Sequence, residues 1–167
     1  MKTSEYWIGK LGLLKHPEGG YFREIYRSAE QIDASCLPPR YGGNRAFSTS
    51  IYYLLKSGEF STFHRLKTDE IWHFYAGSPL LLFMINKQGE LLELVLGNEP
   101  ECGEQLQIVI ERGNWFAASV IQENSYTLMG CTVAPGFDFT DFEMASRSEL
   151  IALYPHYHEI ISKYTLS

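Results

Sequence analysis

The order of apolar and polar positions along the chain predicts a middle made of short strands. Between residues 21 and 143, runs rich in aromatic and β-branched side chains alternate with turns of Gly, Pro, Asn or Ser. The run FDFTDFE at 137–143 alternates Phe with polar residues, which is typical of a half-buried strand. Such spacing favours an antiparallel sandwich or barrel. The predicted strands are 21–28, 46–55, 60–66, 70–76, 80–85, 91–96, 105–110, 115–120, 126–133 and 137–143.

At the two ends of the chain, apolar residues recur with the spacing of a helix instead. Residues 4–14 place their large apolar side chains on one helical face, with Ser4 as the predicted cap. Ser146 and Glu149 have the spacing of a capping box, and Pro155 is predicted to open a second short helix. The predicted fold class is all-β, and the predicted architecture is a jelly roll. It forms a single domain over residues 1–167. The N-terminal helix is predicted in 1–14, the barrel in 20–143 and the C-terminal helices in 146–165.

Composition and charge narrow the classes of function. The formal net charge is -6, and Lys and Arg are scattered without a basic run, so nucleic acid is not an expected partner. The N-terminal sequence lacks the apolar core of a signal peptide or membrane span, and the three cysteines are far apart. These features predict a cytoplasmic protein with free thiols and no membrane contact. Residues 29–45, which contain Pro and Gly pairs, are predicted to be a loop that serves as a lid or an assembly contact.

The stretch GEFSTFHRLKTDEIWHFYAG at 58–77 carries the most informative spacing in the chain. It predicts two adjacent antiparallel strands joined by a tight turn, with His64 on the first and Glu70 on the second. A neutral imidazole beside a carboxylate can move a proton near pH 7, and the carboxylate selects the tautomer of the imidazole. The alternative is a buried hydrogen bond between the two side chains without a chemical role.

This stretch resembles the first motif of the cupin superfamily. The matching spacing is Gly58, five residues, His64, then Glu70, six residues and Gly77, but Leu66 stands where the motif has a second histidine. The stretches HPEGGYFREIYRS, SIYYLLKSGEFSTFHRLKTDEIWHFYAG and MGCTVAPGFDFTDFE look like the cupin family known as DUF985 or Cupin_5. The resemblance implies a double-stranded β-helix, a homodimer, and a fold akin to that of the deoxysugar-nucleotide 3,5-epimerases. The family has no settled activity.

The ligand set of metal-binding cupins is incomplete in this chain. In those cupins the histidine that Leu66 replaces is a ligand, and a second motif, at 113–128 here, reaches Asn124 where a histidine is usual. His73 follows Glu70 by three residues, an offset that places two side chains on opposite faces of a strand. The histidine and glutamate that remain supply two ligands, whereas catalytic zinc and iron sites take about three from the protein. We therefore expect no metal cofactor.

An aromatic wall is predicted beside this histidine and glutamate. Trp72 and Phe74 are two and four residues after Glu70, so their side chains are predicted on the same face of the strand. Tyr52 lies in the predicted strand 46–55. Together they suit the stacking of a sugar or a base, and the alternative for each is core packing. Arg23 is predicted either to meet an anionic ligand or to form a salt bridge at a dimer edge.

The resemblance also implies a role for a carboxylate late in the chain. In the epimerases of similar fold such a carboxylate orients the catalytic histidine, which would place Asp141 beside His64. His16, in a Gly-rich turn, is predicted either to hold the turn or to face the pocket. Cys131 is predicted to be a buried, inert thiol.

Three hypotheses of function follow. The first is an isomerase or epimerase-like enzyme that acts on a sugar or nucleotide-sugar, with His64 as general base, Glu70 as its partner and Asp141 as a further catalytic residue. The second is a cupin that binds a small molecule without catalysis. The third is a metal-dependent oxygenase or hydrolase. The expected partners are a small-molecule ligand and a second copy of the chain.

Overall fold

The structure, a computed structural model, describes residues 2–166 as two large antiparallel sheets, one small one and three short helices. This confirms the predicted all-β fold with terminal helices. The helices are α1 Ser4–Leu11, α2 Arg147–Leu153 and α3 His158–Lys163. The strands are β1 Leu14–Lys15, β2 Tyr21–Arg27, β3 Gln31–Ile32, β4 Arg45–Ala46, β5 Thr49–Lys56, β6 Phe60–Leu66, β7 Glu70–Gly77, β8 Leu80–Ile85, β9 Leu91–Leu96, β10 Gln107–Ile110, β11 Trp115–Val120, β12 Tyr126–Val133 and β13 Phe142–Met144.

The two large sheets pack face to face as a jelly roll. The larger sheet has the strand order β1-β2-β5-β12-β7-β10, and the smaller has the order β13-β6-β11-β8-β9. Strands that pair in a sheet are therefore mostly distant in sequence. The core between the sheets draws on both of them, and its largest buried side chains include Tyr53, Trp72, Leu82, Phe116 and Met129. Burial of these side chains supplies most of the driving force for folding.

Strands β6 and β7 follow one another in the chain but lie in different sheets. The prediction that they are adjacent paired strands was therefore wrong. β6 pairs with β11 and β13, whereas β7 pairs with β12 and β10. The chain crosses between the sheets at residues 67–69. Because alternate side chains of each strand face inward, His64 and Glu70 reach the same interior from opposite walls.

Helices cover the outer faces of the two sheets unequally. Leu150 of α2 and Ile161 of α3 pack with Phe63 and Phe83 on the outer face of the smaller sheet. On the larger sheet, α1 covers only the region around Leu54. None of these helices, which are the α-helices of residues 2–166, is long and apolar enough to cross a membrane.

Helix α1 is shorter than predicted at its C-terminal end. It ends at Leu11 because Gly12 takes the left-handed conformation, with φ of 62°, and closes the last turn. The cap at its start is Thr3, whose Oγ1 accepts a hydrogen bond from the backbone N–H of Tyr6, and not the predicted Ser4.

The segment 137–143 is a turn followed by a short strand, not the predicted half-buried strand. A 3₁₀ turn spans Phe139–Asp141, and β13 begins only at Phe142. The carboxylate of Asp138 accepts hydrogen bonds from the backbone N–H of Thr140 at 2.9 Å and from its hydroxyl at 2.7 Å. These local bonds favour a turn over an extended chain, and the alternation of Phe with polar residues does not reveal them.

The loop at 29–45 is anchored to the barrel. It contains the short pair β3 and β4. Arg40 Nε donates to the carbonyl of Lys67 at 2.9 Å, and the hydroxyl of Tyr41 lies 2.8 Å from that of Thr68. A role of this loop as a lid or an assembly contact stays a prediction.

Candidate functional site

A cavity of about 310 Å³ lies between the two large sheets. Strands β2, β5, β6, β7 and β12 contribute to its walls, together with the turn before β13. Four carboxyl groups and two histidines share this lining with aromatic rings, a combination typical of a ligand site. The aromatic residues of the lining are Phe22, Tyr53, Trp72, Phe137, Phe139 and Phe142.

The side chains of Glu18 and His64 form a buried pair in this lining. His64 Nε2 lies 3.2 Å from Glu18 Oε2, and His64 Nδ1 lies 2.7 Å from the carbonyl oxygen of Thr62. A carbonyl oxygen only accepts, so Nδ1 carries a hydrogen. The ring is 2% exposed and packs against Phe116 and Phe142, with centroids 4.0 and 5.3 Å away, so both of its nitrogens are engaged.

Glu18 reaches the cavity because the turn HPEGG lies directly against β6. The backbone N–H of Thr62 donates to the carbonyl of Glu18 at 2.8 Å, and Ser61 Oγ donates to Glu18 Oε1 at 3.0 Å. Gly19 has φ of 115°, and a Cβ at this position would collide with the carbonyl oxygen of Phe60. Only glycine allows this approach of the turn to the strand.

His16 extends the pair to a third titratable group. Its Nδ1 accepts a hydrogen bond from the backbone N–H of Glu18 at 3.3 Å and lies 3.4 Å from Glu18 Oε2. Burial lowers the pKa of His16, while Glu18 opposes this shift and His64 adds to it. His16 is therefore neutral at pH 7, with its proton on Nε2. Its ring meets Phe22 edge-on at 4.6 Å, so His16 lines the cavity as well as the turn.

Glu70 faces the same cavity from the opposite sheet. Glu70 is 8% exposed, and its carboxyl group makes no strong hydrogen bond or ion pair within residues 2–166. Burial raises the pKa of Glu70 to about 8, with a further rise from the negative charge of Glu18. Weak hydrogen bonding from Trp72 and Cys131 opposes the rise. At pH 7 Glu70 is therefore a neutral carboxylic acid.

Trp72 adds a poorly satisfied donor to the same wall. The residue is 1% exposed, and its indole N–H reaches Glu70 only weakly and has no acceptor in good hydrogen-bonding geometry within residues 2–166. The hydroxyl of Tyr53, in contrast, donates to the carbonyl of Gly19 at 2.9 Å. A buried donor left without a partner costs about 1–3 kcal/mol, so a ligand oxygen that accepts from Trp72 would recover part of this cost.

Three of the predicted site residues, His64, Glu70 and Trp72, line the cavity. The carboxyl group that binds His64 is that of Glu18 and not, as predicted, that of Glu70. Glu18 is a site residue that the sequence pattern did not predict. The available signal was its place in the turn HPEGG, one of the stretches that carry the family resemblance, where a glycine pair allows close backbone approach.

Three other predicted residues do not line the cavity. Tyr52 faces the outer side of β5 and meets Tyr75 at 6.1 Å, because its neighbour Tyr53 takes the inward position. Phe74 has the expected inward parity but packs against the core cluster beyond the cavity. Arg23 is exposed and donates to the carbonyl of Leu11 at 2.9 Å, which ties α1 to β2.

Asp141 lies away from His64, contrary to prediction. Its carboxylate accepts two hydrogen bonds of 2.7 Å from the guanidinium of Arg45, and both side chains are almost fully buried. Lys67 Nζ lies 3.7 Å from the same carboxylate. The carboxylate is thus engaged by cations on the outer side of the cavity wall.

The remaining candidates lie where their sequence positions indicate. His73 faces the outer side of β7, where its Nε2 lies 3.1 Å from Thr132 Oγ1. Cys131 is a buried free thiol whose pKa is raised by burial, while Cys36 and Cys102 are exposed.

A family model described as Cupin superfamily (DUF985), Cupin_5, matches residues 5–145. The chain belongs to the Cupin_5 family. The match spans α1 and every strand, and it therefore includes the whole lining of the cavity.

Several relatives of this Cupin_5 protein are known. An uncharacterized protein of Saccharomyces cerevisiae, YML079W, is 30% identical over 140 residues, which cover 77% of this chain and 68% of that protein. A crystal structure of protein SO0799 from Shewanella oneidensis has a TM-score of 0.89 and 38% identity over 99% of both chains. A hypothetical protein from Leishmania major has a TM-score of 0.90 and 35% identity, over 99% of this chain and 100% of that one.

A more distant neighbour shows the fold alone. Oxalate decarboxylase from Bacillus subtilis has a TM-score of 0.55 and 16% identity, over 90% of this chain and 36% of that chain. At this identity the similarity supports the cupin jelly roll and carries nothing about the reaction.

The residues of this Cupin_5 cavity do not fit the metal site of metal-binding cupins. Leu66 lines the cavity at the position of one histidine ligand, and within residues 2–166 no group of three His, Cys, Asp or Glu side chains is placed to hold a metal ion. Glu18 and His64 are directed at each other. At the position of one metal ligand, this cavity therefore has the apolar side chain of Leu66.

Proposed function

We propose that this Cupin_5 protein binds a small polar molecule of about monosaccharide size and moves protons on it, as an isomerase or epimerase does. The observation that carries the proposal is a pair of buried carboxyl groups in unlike surroundings on one cavity. Glu18 lies 3.2 Å from the imidazole of His64, whereas Glu70 has no charged partner of opposite sign within residues 2–166 and burial raises its pKa to about 8. Two carboxyl groups in different environments on one cavity are a pattern of acid–base catalysis.

The size of the cavity supports a sugar in preference to a whole nucleotide-sugar. A volume of about 310 Å³ lies at the lower end of the range of about 300–1,000 Å³ that small-molecule pockets have. Among the described residues, the one guanidinium of the lining belongs to Arg27, and it is already paired with Glu24 at 2.7 Å. This part of the chain therefore offers no free cation to a diphosphate inside the cavity, whereas the aromatic rings suit the faces of a sugar.

The proposed base is the Glu18–His64 pair, with Glu18 as the group that contacts the substrate. The ring nitrogens of His64 face Thr62 and Glu18, so the carboxylate of Glu18 takes the proton from a carbon next to a carbonyl group, while His64 holds Glu18 in position. Glu70 gives its proton to the carbonyl oxygen, so that one C–H bond breaks and an enol forms. Return of a proton to the other face or to the neighbouring carbon yields the epimer or the isomer.

Solvent-deuterium exchange tests this proposal directly. A panel of aldoses and ketoses is incubated with the protein in D₂O, and the loss of C–H signals is followed by NMR. We expect exchange into at least one sugar, slower by a factor of about 100 or more in Glu70→Gln, because the proton donor is lost. The wild-type rate should fall above pH of about 8, where Glu70 ionises. Glu93→Gln, on the exposed side of β9, is the matched control and should leave the rate unchanged.

Two outcomes would contradict the proposal. Exchange at the wild-type rate in Glu70→Gln removes Glu70 as the proton donor. Binding of a sugar without exchange at any carbon favours the second candidate, a cupin that binds without catalysis. The full engagement of His64 by Thr62 and Glu18 is the observation that favours this second candidate.

A further inference from the structure

A second depression, which we call the basic groove, borders the cavity across Leu66 and Phe142. It measures about 690 Å³. Its charged lining consists of five basic residues and two acidic ones, in a chain that has only 14 Lys and Arg and a net charge of -6. The basic residues are Arg40, Arg65, Lys67, Lys87 and Arg112, and the acidic residues are Asp141 and Glu143.

Separate parts of the chain bring these basic residues together. Arg40 comes from the loop between β3 and β4, Arg65 and Lys67 from the end of β6, Lys87 from the β8–β9 turn and Arg112 from the β10–β11 turn. Because they are far apart in sequence, no basic run marks them. The jelly-roll topology places these segments at one edge of the barrel, and an acidic protein thus has a local positive field.

The acidic residues of the basic groove leave most of this charge unbalanced. Asp141 is bound by the buried Arg45, outside the groove lining, and Glu143 is bound by Arg65. Lys87 has only a contact of 3.6 Å with an exposed carboxylate. Lys67 Nζ lies 3.7 Å from Asp141. The backbone N–H of Arg112 donates to the carboxylate of Asp69 at 2.8 Å, whereas its guanidinium makes no hydrogen bond or ion pair within residues 2–166. Counted over the lining alone, the five basic and two acidic residues leave a formal excess of three positive charges.

Several of these cations are already held in place. Arg40 Nε donates to the carbonyl of Lys67 at 2.9 Å, and Lys67 Nζ donates to the carbonyl of Thr140 at 3.0 Å. Arg65 lies 4.3 Å above the ring of Trp115. A guanidinium has five N–H donors and an ammonium three, so each cation keeps donors for a ligand. Side chains fixed beforehand lose less entropy on binding.

We infer that the basic groove binds a phosphorylated small molecule through a phosphate or diphosphate group. Arginine forks match the oxygens of phosphate, and several fixed cations around one concave site favour a multiply charged anion. The basic groove measures about 690 Å³, against about 310 Å³ for the cavity. The inference is independent of the acid–base chemistry proposed for the cavity, because none of these five basic residues lines that cavity.

Isothermal titration calorimetry with pyrophosphate tests the inference. At a salt concentration of about 20 mM we expect saturable binding of pyrophosphate, weaker binding of orthophosphate and none of acetate. ADP is compared with pyrophosphate to distinguish a nucleotide from a bare diphosphate as the source of the group. Binding should weaken steeply as salt rises, because the contacts are partly exposed ion pairs.

Variants locate the binding. Lys87→Ala combined with Arg112→Ala should weaken pyrophosphate binding by about tenfold or more, since two charge-assisted contacts are lost. When Arg112→Lys replaces Arg112→Ala in this double variant, part of the lost pyrophosphate affinity should return, because the positive charge is restored. Lys10→Ala, on the exposed surface of α1, is the matched control and should bind as the wild type does. These exposed side chains contribute little to folding, and circular dichroism confirms that each variant is folded.

Three results would overturn the inference: no binding of any phosphate probe at low salt, equal binding by the wild type and the double variant, or equal binding of acetate and pyrophosphate. Loss of sugar exchange in the cavity with retained pyrophosphate binding would contradict only the proposed function. The two claims therefore fail separately.

Discussion

At the scale of single residues, Glu70 makes a prediction that needs no ligand. Its pKa rises from 4.5 to about 8 on folding, chiefly because of burial. Between these two pH values the folded state binds a proton that the unfolded state releases, so stability falls as pH rises. A tenfold difference in proton affinity between the two states corresponds to about 1.4 kcal/mol, so the total effect on the free energy of unfolding is on the order of several kcal/mol. Above pH of about 8 both states are ionised at Glu70, and this contribution no longer changes.

Urea unfolding between pH 5 and 9 measures this effect as a difference between wild type and Glu70→Gln. Gln has nearly the shape of Glu but no titrating proton, so the variant should become the more stable protein as pH increases. Parallel stability curves for the two proteins would show that Glu70 does not titrate with a raised pKa.

At the scale of elements, the ion pair of Arg45 and Asp141 joins β4 to the turn before β13. Both side chains are almost fully buried, so Arg45→Ala leaves a buried carboxylate with only Lys67 nearby, at 3.7 Å. We expect a loss of about 3–5 kcal/mol, because a lone buried charge is costly. The corresponding fall in melting temperature is about 6–20 °C for a protein of this size.

Differential scanning calorimetry of matched variants checks this prediction. Arg65→Ala breaks an exposed pair with Glu143 and should cost less than about 1 kcal/mol. The double change Arg45→Met with Asp141→Leu should regain most of the loss, because no unpaired charge remains. If Arg45→Ala and Arg65→Ala have the same small effect, the ion pair does not hold these elements together.

The sequence predicted the elements better than their partners. Local patterns located β6, β8, β9, β11 and β12 at the observed bounds, since apolar runs and turn residues act over a few positions. They failed for the pairing of β6 with β11 and for the turn at 137–143, which depend on sheet topology and on the Asp138 side chain. For the same reason Glu18 was missed: its contact with His64 joins positions 46 residues apart.

At the scale of the whole molecule, the two large sheets differ in how their outer faces are covered. Helices α2 and α3 pack on the smaller sheet, whereas α1 covers only one end of the larger sheet. Elsewhere on this outer face Tyr75 is 50% exposed and Val109 is 56% exposed, and Tyr52 lies beside Tyr75. Large apolar side chains gathered on one sheet face are typical of a protein interface.

We propose that a second copy of the chain covers this face in a homodimer, the assembly that the family resemblance implies. A two-fold interface is self-complementary, so one charge introduced at the face appears twice and repels itself. Size-exclusion chromatography with light scattering should give a dimer for the wild type and a monomer for Tyr75→Asp. Leu153→Asp, at a 65% exposed position of α2, is the control and should remain dimeric. A wild-type monomer at every concentration would contradict the proposal, and a Tyr75→Asp variant that remains dimeric would place the interface elsewhere.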